Sequence, residues 1–118
     1  MPKSLGEFEI LILFAIVRLR NDAYGATIHR EIEDRTGRSI AIGAVYTGLA
    51  RLQRSGYVLA TIGDPTPQRG GRRKKYYSVT EAGAFSLGRS VSAYRQMTEG
   101  IEEDLELILS DAGSGGQR

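Results

Sequence analysis

The chain has 118 residues, of which 41% are apolar and 25% charged, values typical of one globular domain. It has no cysteine and a single histidine, His29, which excludes disulfides, thiol nucleophiles and multi-histidine metal sites within one chain. The longest apolar run, Ile10 to Val17, is far shorter than the roughly 20 residues of a membrane span. We therefore expect a cytoplasmic protein with no secretion leader, no membrane segment, no metal and no cofactor.

Charge is distributed unevenly along the chain, although the net charge is only +2. Between Arg35 and Val79 there are nine basic residues and one acid, Asp64, which gives +8. Between Thr80 and Asp111 there are two basic residues and seven acids, which gives −5. A basic segment followed by an acidic one is typical of a nucleic-acid-binding domain with a separate assembly arm.

The first helix is predicted to begin at Ser4, because Ser4 and Glu7 have the spacing of a capping box. From Phe8 to Leu19 the helix is apolar nearly all round, so it should be buried on more than one side. In so small a protein we expect a partner subunit to cover the second side. The candidate dimerisation residues on this helix are Leu11 and Phe14.

Two further helices are predicted. The second runs from about Tyr24 to Thr36 and ends at Gly37, with Ile28 and Ile32 facing the core. His29 lies beside this inward stripe, and we expect it on the surface. After a short break, the third helix runs from about 42 to 55. Its core positions have i, i+4, i+7 spacing and are Val45, Leu49 and Leu52.

Two β-rich segments, 57–62 and 75–79, are predicted to pair as a hairpin. One of Tyr76 and Tyr77 should be buried and the other exposed, since strand neighbours alternate faces. The intervening loop contains two prolines and three glycines, which exclude regular structure. Five cations within seven residues favour phosphate binding over mere solubility; they are Arg69, Arg72, Arg73, Lys74 and Lys75.

Thr80 is the expected N-cap of a long C-terminal helix that reaches about Leu109, either continuous or broken at Gly88 or Gly100. Residues 110–118 are predicted to form a flexible tail. Apolar residues recur along the helix every three or four positions, as in a coiled coil, and we expect them to hold two copies together. After Leu87 they are Val91, Tyr94, Met97, Ile101, Leu105 and Ile108.

This order of elements is that of a winged helix-turn-helix, so the fold class is mainly α with a small β-hairpin. The expected division is a DNA-binding domain at 1–80, a dimerisation helix at 81–109 and the tail at 110–118. This arrangement suits duplex DNA, because a helix fits the major groove and a cationic hairpin tip can contact phosphate.

Five segments stand out for their order and spacing: LGEFEILIL (5–13), AYGATI (23–28), IGAVYTGLARL (42–52), SGYV (55–58) and GRRKKYYSVTEAG (71–83). With these segments the chain, over about residues 5 to 109, resembles the PadR family of bacterial transcriptional regulators. The resemblance implies a homodimer of the small subtype, with a single dimerisation helix in each subunit. It also implies that the third helix enters the major groove and that the hairpin touches the flanking backbone.

The third helix offers few groups that read bases. Its first turns contain Gly43, Ala44, Tyr46 and Thr47 but no Arg, Asn or Gln that would pair with a base edge, and Arg51 comes later. Ala44 or Thr47 could touch a thymine methyl group. We expect selectivity to depend more on DNA shape and half-site spacing than on many base contacts.

The resemblance also implies DNA contacts for Tyr46 and for the turn at Tyr24. The alternatives are that Tyr46 packs against the hairpin and that Tyr24 is a core residue. Many relatives carry Ser and Pro where this chain has Ala41 and Thr47, so the family's hydroxyl contact is not expected at Ala41.

The predicted function is sequence-specific transcriptional regulation, with repression by a homodimer bound to a pseudo-palindromic operator. The alternatives are a winged-helix protein-interaction module and a weakly specific nucleoid-associated protein. A small aromatic effector near Tyr94 and Met97 is a further expectation from the resemblance, although a dimer core explains the same pattern. No enzyme is expected, because the clustered carboxylates Glu102, Glu103 and Asp104 point apart on a helix and no nucleophile and base accompany them.

Overall fold

The computed structural model describes residues 5–63 and 73–115, so Ser4 and most of the basic loop lie outside the described residues. The chain divides into two compact units, Met1–Leu87 and Gly88–Arg118. The elements in chain order are α1 (Glu7–Leu19), a 3-10 turn (Arg20–Asp22), α2 (Gly25–Thr36), α3 (Ile42–Arg54), β1 (Val58–Ile62), β2 (Lys75–Val79), α4 (Glu81–Thr98) and α5 (Ile101–Gly115). The mainly helical class with one hairpin is as predicted.

Helix α1 begins later than the sequence predicts, with Gly6 and not Ser4 at its N-cap. The Gly6 amide donates to Glu9 Oε1 at 2.9 Å, so the acid that accepts the N-cap amide is Glu9 and not Glu7. Glu7 instead forms an ion pair with Arg38, at 3.1 Å between Oε1 and Nη2. Ser4–Glu7 and Gly6–Glu9 have the same three-residue spacing, and the local sequence pattern does not show which pair caps the helix.

The core of the first unit lies where α1, α2 and α3 meet. The predicted inward residues of α2 and α3 are confirmed, since Ile28, Ile32, Val45, Leu49 and Leu52 are all buried. From α1 the core receives Ile12 and Leu13. Helices α1 and α3 approach closely at Gly48, because a Cβ there would overlap the Ile12 side chain.

The break between α2 and α3 is held by polar side chains of α2. His29 is half-buried and not on the surface as expected, and its Nε2 lies 2.6 Å from the Ile40 carbonyl oxygen. The Ile40 amide donates to Glu33 Oε2 at 3.0 Å. Gly37 ends α2 with a φ of 72°, the left-handed conformation that glycine adopts without strain. These contacts fix the short segment from which α3 starts.

Strands β1 and β2 pair antiparallel, with Val58 opposite Val79 and Ile62 opposite Lys75. The second edge of β2 meets the residues before α2, where the Tyr77 amide donates to the Ala23 carbonyl at 2.8 Å. Tyr77 is buried, as expected for one of the two tyrosines, whereas Tyr76 is half-buried and not fully exposed. The hairpin is thus joined directly to the start of α2. We call the hairpin and its loop, residues 58–79, the wing.

Thr80 caps α4 as predicted, because its Oγ1 accepts the Gly83 amide at 3.0 Å. The same hydroxyl donates to the Gly56 carbonyl at 2.7 Å. Gly83 lies against the start of the hairpin so closely that a Cβ there would overlap the Tyr57 carbonyl oxygen. These contacts fix the first turn of α4 against the loop that precedes β1.

The second unit contains the rest of α4 and all of α5. Of the two predicted break points, Gly88 lies within α4, and Gly100, with a φ of 73°, separates the two helices. Helix α5 reaches Gly115, beyond the predicted end at Leu109 and into the segment expected to be a tail. None of the helices in the described part of the chain is long and apolar enough to cross a membrane.

Candidate nucleic-acid interface

The outer face of α3 is open to solvent. All of its predicted DNA-contacting residues are exposed: Gly43, Ala44, Tyr46, Thr47 and Arg51. A Cβ added at Gly43 would meet nothing within 4 Å, so the helix backbone is accessible at its start. This face lies opposite the buried stripe of Val45, Leu49 and Leu52, and it can therefore enter a groove without disturbing the core.

Tyr46 packs against the first residue of α2. A Cβ on Gly25 would overlap the end of the Tyr46 ring and its hydroxyl, so glycine is what admits this side chain. Tyr46 nevertheless stays 52% exposed. Its phenol group therefore lies at the N-terminal end of α2 with its surface still open to a ligand.

Tyr24 joins α2 to the wing. Its ring meets Tyr76 edge-on, with centroids 5.5 Å apart and planes at 79°. The Lys74 Nζ lies 4.3 Å from the Tyr24 ring centroid and donates to the Tyr24 hydroxyl at 3.3 Å. Tyr24 is half-buried, which lies between the two alternatives that the sequence left open. The contact brings a cation from the wing to the start of α2.

The remaining wing cations divide between described and undescribed residues. Arg73 and Lys75 are exposed, and the Lys75 Nζ lies 5.8 Å from the Tyr77 ring centroid. Arg69 and Arg72 lie outside the described residues. Lys74 is half-buried by its contact with Tyr24. The wing cations therefore have different surroundings, although the sequence groups them together.

Not every cation of the +8 segment is available for a ligand. Arg38 pairs with Glu7, and Arg35 hydrogen-bonds to Glu31. This Arg35 hydrogen bond is the main reason that the pKa of Glu31 is lowered from 4.5; partial burial opposes it, and the charges of Arg35 and Arg18 add to it. Within residues 5–63 and 73–115, no ion pair involves five of the cations: Arg51, Arg54, Arg73, Lys74 and Lys75.

The predicted dimerisation residues lie on uncovered surfaces. In the first unit, Leu11 and Phe14 are half-exposed and line an open apolar groove of about 360 Å³ between α1 and α2. In the second unit, Val91 and Ile101 are half-exposed. We call these two residues and the other four that recur along α4 and α5 the seam, and those four are exposed: Tyr94, Met97, Leu105 and Ile108.

Comparison with known proteins adds an independent result. The family model "Transcriptional regulator PadR-like family" matches residues 12–89. An uncharacterized protein of Lysinibacillus sphaericus is 33% identical over 103 residues, which cover 86% of this chain and 90% of that protein.

Two crystal structures share the fold. A PadR family transcription regulator from hypervirulent Clostridium difficile has a TM-score of 0.70 at 23% identity, over 85% of this chain and 99% of that one. A PadR-like transcriptional regulator from Bacillus cereus has a TM-score of 0.67 at 20% identity, over 83% and 90%. The family match extends from within α1 through α2, α3 and the wing into α4. The chain therefore belongs to the PadR-like family of transcriptional regulators, which are DNA-binding proteins and not enzymes.

Proposed function

We propose that this protein is a repressor that binds a pseudo-palindromic operator as a homodimer. Residues 1–80 bind DNA, residues 81–109 hold two copies together and residues 110–118 are dispensable for both. Helix α3 enters the major groove, and the wing lies on the flanking backbone. A bound operator near a promoter excludes polymerase, which is the physical basis for repression.

The observation that carries the DNA contact is the meeting of three elements at the start of α2. Tyr46 of α3 packs on Gly25, and Lys74 of the wing is held on the neighbouring Tyr24. A phenol hydroxyl and an ammonium group thus contact two consecutive residues, Gly25 and Tyr24, at the positive end of a helix. This combination suits a backbone phosphate, since each of the three favours an anion.

Two further sets of cations would contact the backbone on either side of this point. Arg51 and Arg54 lie in the last turns of α3, and both are exposed. Arg73 and Lys75 project from the wing, and by sequence Arg69 and Arg72 add to the same loop. Phosphate contacts of this kind position a protein on DNA without specifying sequence.

The proposal of a homodimer rests on the exposed apolar residues of both units. Leu11 and Phe14 line the α1–α2 groove, and the seam of α4 and α5 is exposed along most of its length. Exposed apolar surface of this kind is typical of an interaction site. A small aromatic effector would bind against Tyr94 and Met97 in such a dimer.

The test is selection of bound duplexes from a random DNA library at near-physiological salt. The expected result is an inverted repeat whose half-sites lie about one helical turn apart. Binding without enrichment of any sequence would replace the operator with the nucleoid-associated alternative. A failure to bind any duplex would contradict the proposal and favour the protein-interaction module.

A further inference from the structure

The stripe of α3 that points away from the core contains an unusual set of side chains for a DNA-reading helix. Gly43, Thr47 and Ala50 follow one another along it, with Ala44 beside them, and all four are exposed. The Arg residues of the helix, Arg51 and Arg54, come only in its last turns. Before these arginines, the stripe therefore has one polar side chain, Thr47.

The hydroxyl of Thr47 is already engaged within the helix. Its Oγ1 donates to the Gly43 carbonyl at 3.0 Å, so its proton is not free for the acceptors of a guanine or an adenine. What this exposed side chain still offers is its methyl group and the lone pairs of Oγ1, which can only accept a hydrogen bond. Ala44 and Ala50 present only methyl groups, and the hydroxyl of Tyr46 lies over Gly25.

We propose that α3 reads the C5-methyl groups of thymine, through Thr47 together with Ala44 and Ala50. The thymine methyl is the one apolar group on the major-groove edges of the unmodified bases, so it is the natural partner of such a surface. The open space at Gly43 lets the helix approach closely. This inference rests on the proposed function and adds the chemical feature that α3 recognises.

The test uses the duplex that the selection yields, with each half-site thymine replaced in turn by deoxyuridine, which differs only in the methyl group. For wild type we expect one or two positions at which the replacement weakens binding by about fourfold, the value of one buried methyl group. Replacements outside the half-sites should have no effect. If the replacement weakens binding at no half-site position, the inference is wrong, although the proposed operator binding remains valid.

Two variants of the same residue separate the methyl from the hydroxyl. Thr47→Val keeps the methyl group, and we expect it to retain the preference for thymine over deoxyuridine. Thr47→Ser keeps the hydroxyl, and we expect it to bind the thymine duplex about fourfold more weakly and to become indifferent at the position that Thr47 reads. The opposite pattern would mean that the hydroxyl is the reading group and would overturn the proposal. Circular dichroism would show that both variants fold, as expected for an exposed position.

A second substitution in the DNA tests whether the methyl group itself is read. At the responsive position, a C·G pair and a 5-methylcytosine·G pair differ only by the same C5-methyl group. We expect the methylated pair to bind about fourfold more tightly than the unmethylated pair. Equal binding would overturn methyl reading. If wild type binds no duplex at all, the proposed function falls and this inference falls with it.

Discussion

Gly25 is the residue on which the position of Tyr46 depends. The contact joins two helices, and it exists because glycine leaves room for the phenol ring. We predict that Gly25→Ala pushes Tyr46 aside and weakens DNA binding by at least about tenfold, the value of one hydrogen bond to a charged group. The unfolding temperature should change little, because alanine favours a helix more than glycine and Tyr46 is exposed.

Three further variants check this prediction. Tyr46→Phe should lower affinity if the hydroxyl contacts phosphate, and Tyr46→Ala should do so in any case. The double variant Gly25→Ala/Tyr46→Ala should bind no more weakly than Tyr46→Ala alone, since the two changes act through one side chain. Affinity is measured by titration at fixed salt. Additive losses would show that Gly25 acts on DNA independently of Tyr46.

At the scale of elements, Gly83 and Gly88 form a matched pair within α4. A Cβ at Gly83 would overlap the Tyr57 carbonyl, which is held in place because it accepts the Thr80 amide at 3.0 Å. Gly83→Ala should therefore destabilise the fold by about 1–3 kcal/mol. Gly88 has nothing within 4 Å of an added Cβ, so Gly88→Ala should stabilise by about 0.5–1 kcal/mol. Denaturant unfolding should show opposite signs, and equal shifts would contradict the packing of α4.

The cations of the wing are expected to bind phosphate, but they should differ in how much they stabilise the fold. Arg73 and Lys75 are exposed, so replacing both with alanine should lower the slope of log affinity against log salt by about 1.8 without loss of stability. Lys74→Ala should lower the slope by about 0.9 and also reduce the unfolding temperature, because Lys74 contacts Tyr24. Arg89→Ala, in the acidic segment, is the control. An unchanged slope in the double variant would exclude Arg73 and Lys75 as phosphate contacts.

Most of the element order was predictable because its signals are local. Glycines at 37 and 56 mark helix ends, and the spacing of Val45, Leu49 and Leu52 marks the core face of α3. The contacts that build the interface are not local. Neither the packing of Tyr46 on Gly25 nor that of Lys74 on Tyr24 leaves a periodic signal.

Helix α5 shows that local composition can also predict the wrong structure. Residues 110–115 are small and polar, a composition typical of a tail, yet they continue the hydrogen-bonded helix to Gly115. The break before α5 falls at Gly100 and not at Gly88, because Gly100 adopts a left-handed φ while Gly88 does not. Composition allows either glycine to break the helix, and only the backbone conformation decides between them.

For the whole molecule, the uneven charge and the exposed apolar seam support the proposal that DNA binding and assembly use different parts of the chain. Within the described part of the basic segment 35–79, the cations that form no ion pair lie on α3 and the wing, whereas α5 contains five acidic residues. Acidic side chains repel DNA, which supports the proposed use of α5 in assembly and not in DNA contact. A dimer would double the reading surface and bind two half-sites at once, which raises affinity without any new contact in either half.

Ile101 tests this assembly, since it lies on the seam at the first position of α5 and is half-exposed in a single chain. We predict that Ile101→Glu yields a folded monomer, because a charge cannot be buried in an apolar interface without a partner. Loss of bivalency should lower affinity for a two-half-site operator by about a hundredfold but leave affinity for a single half-site unchanged. Gln96→Glu adds the same charge to the opposite face of α4 and should remain dimeric. Sedimentation equilibrium measures the state, and a surviving Ile101→Glu dimer would place the interface elsewhere, with the α1–α2 groove as the next surface to test.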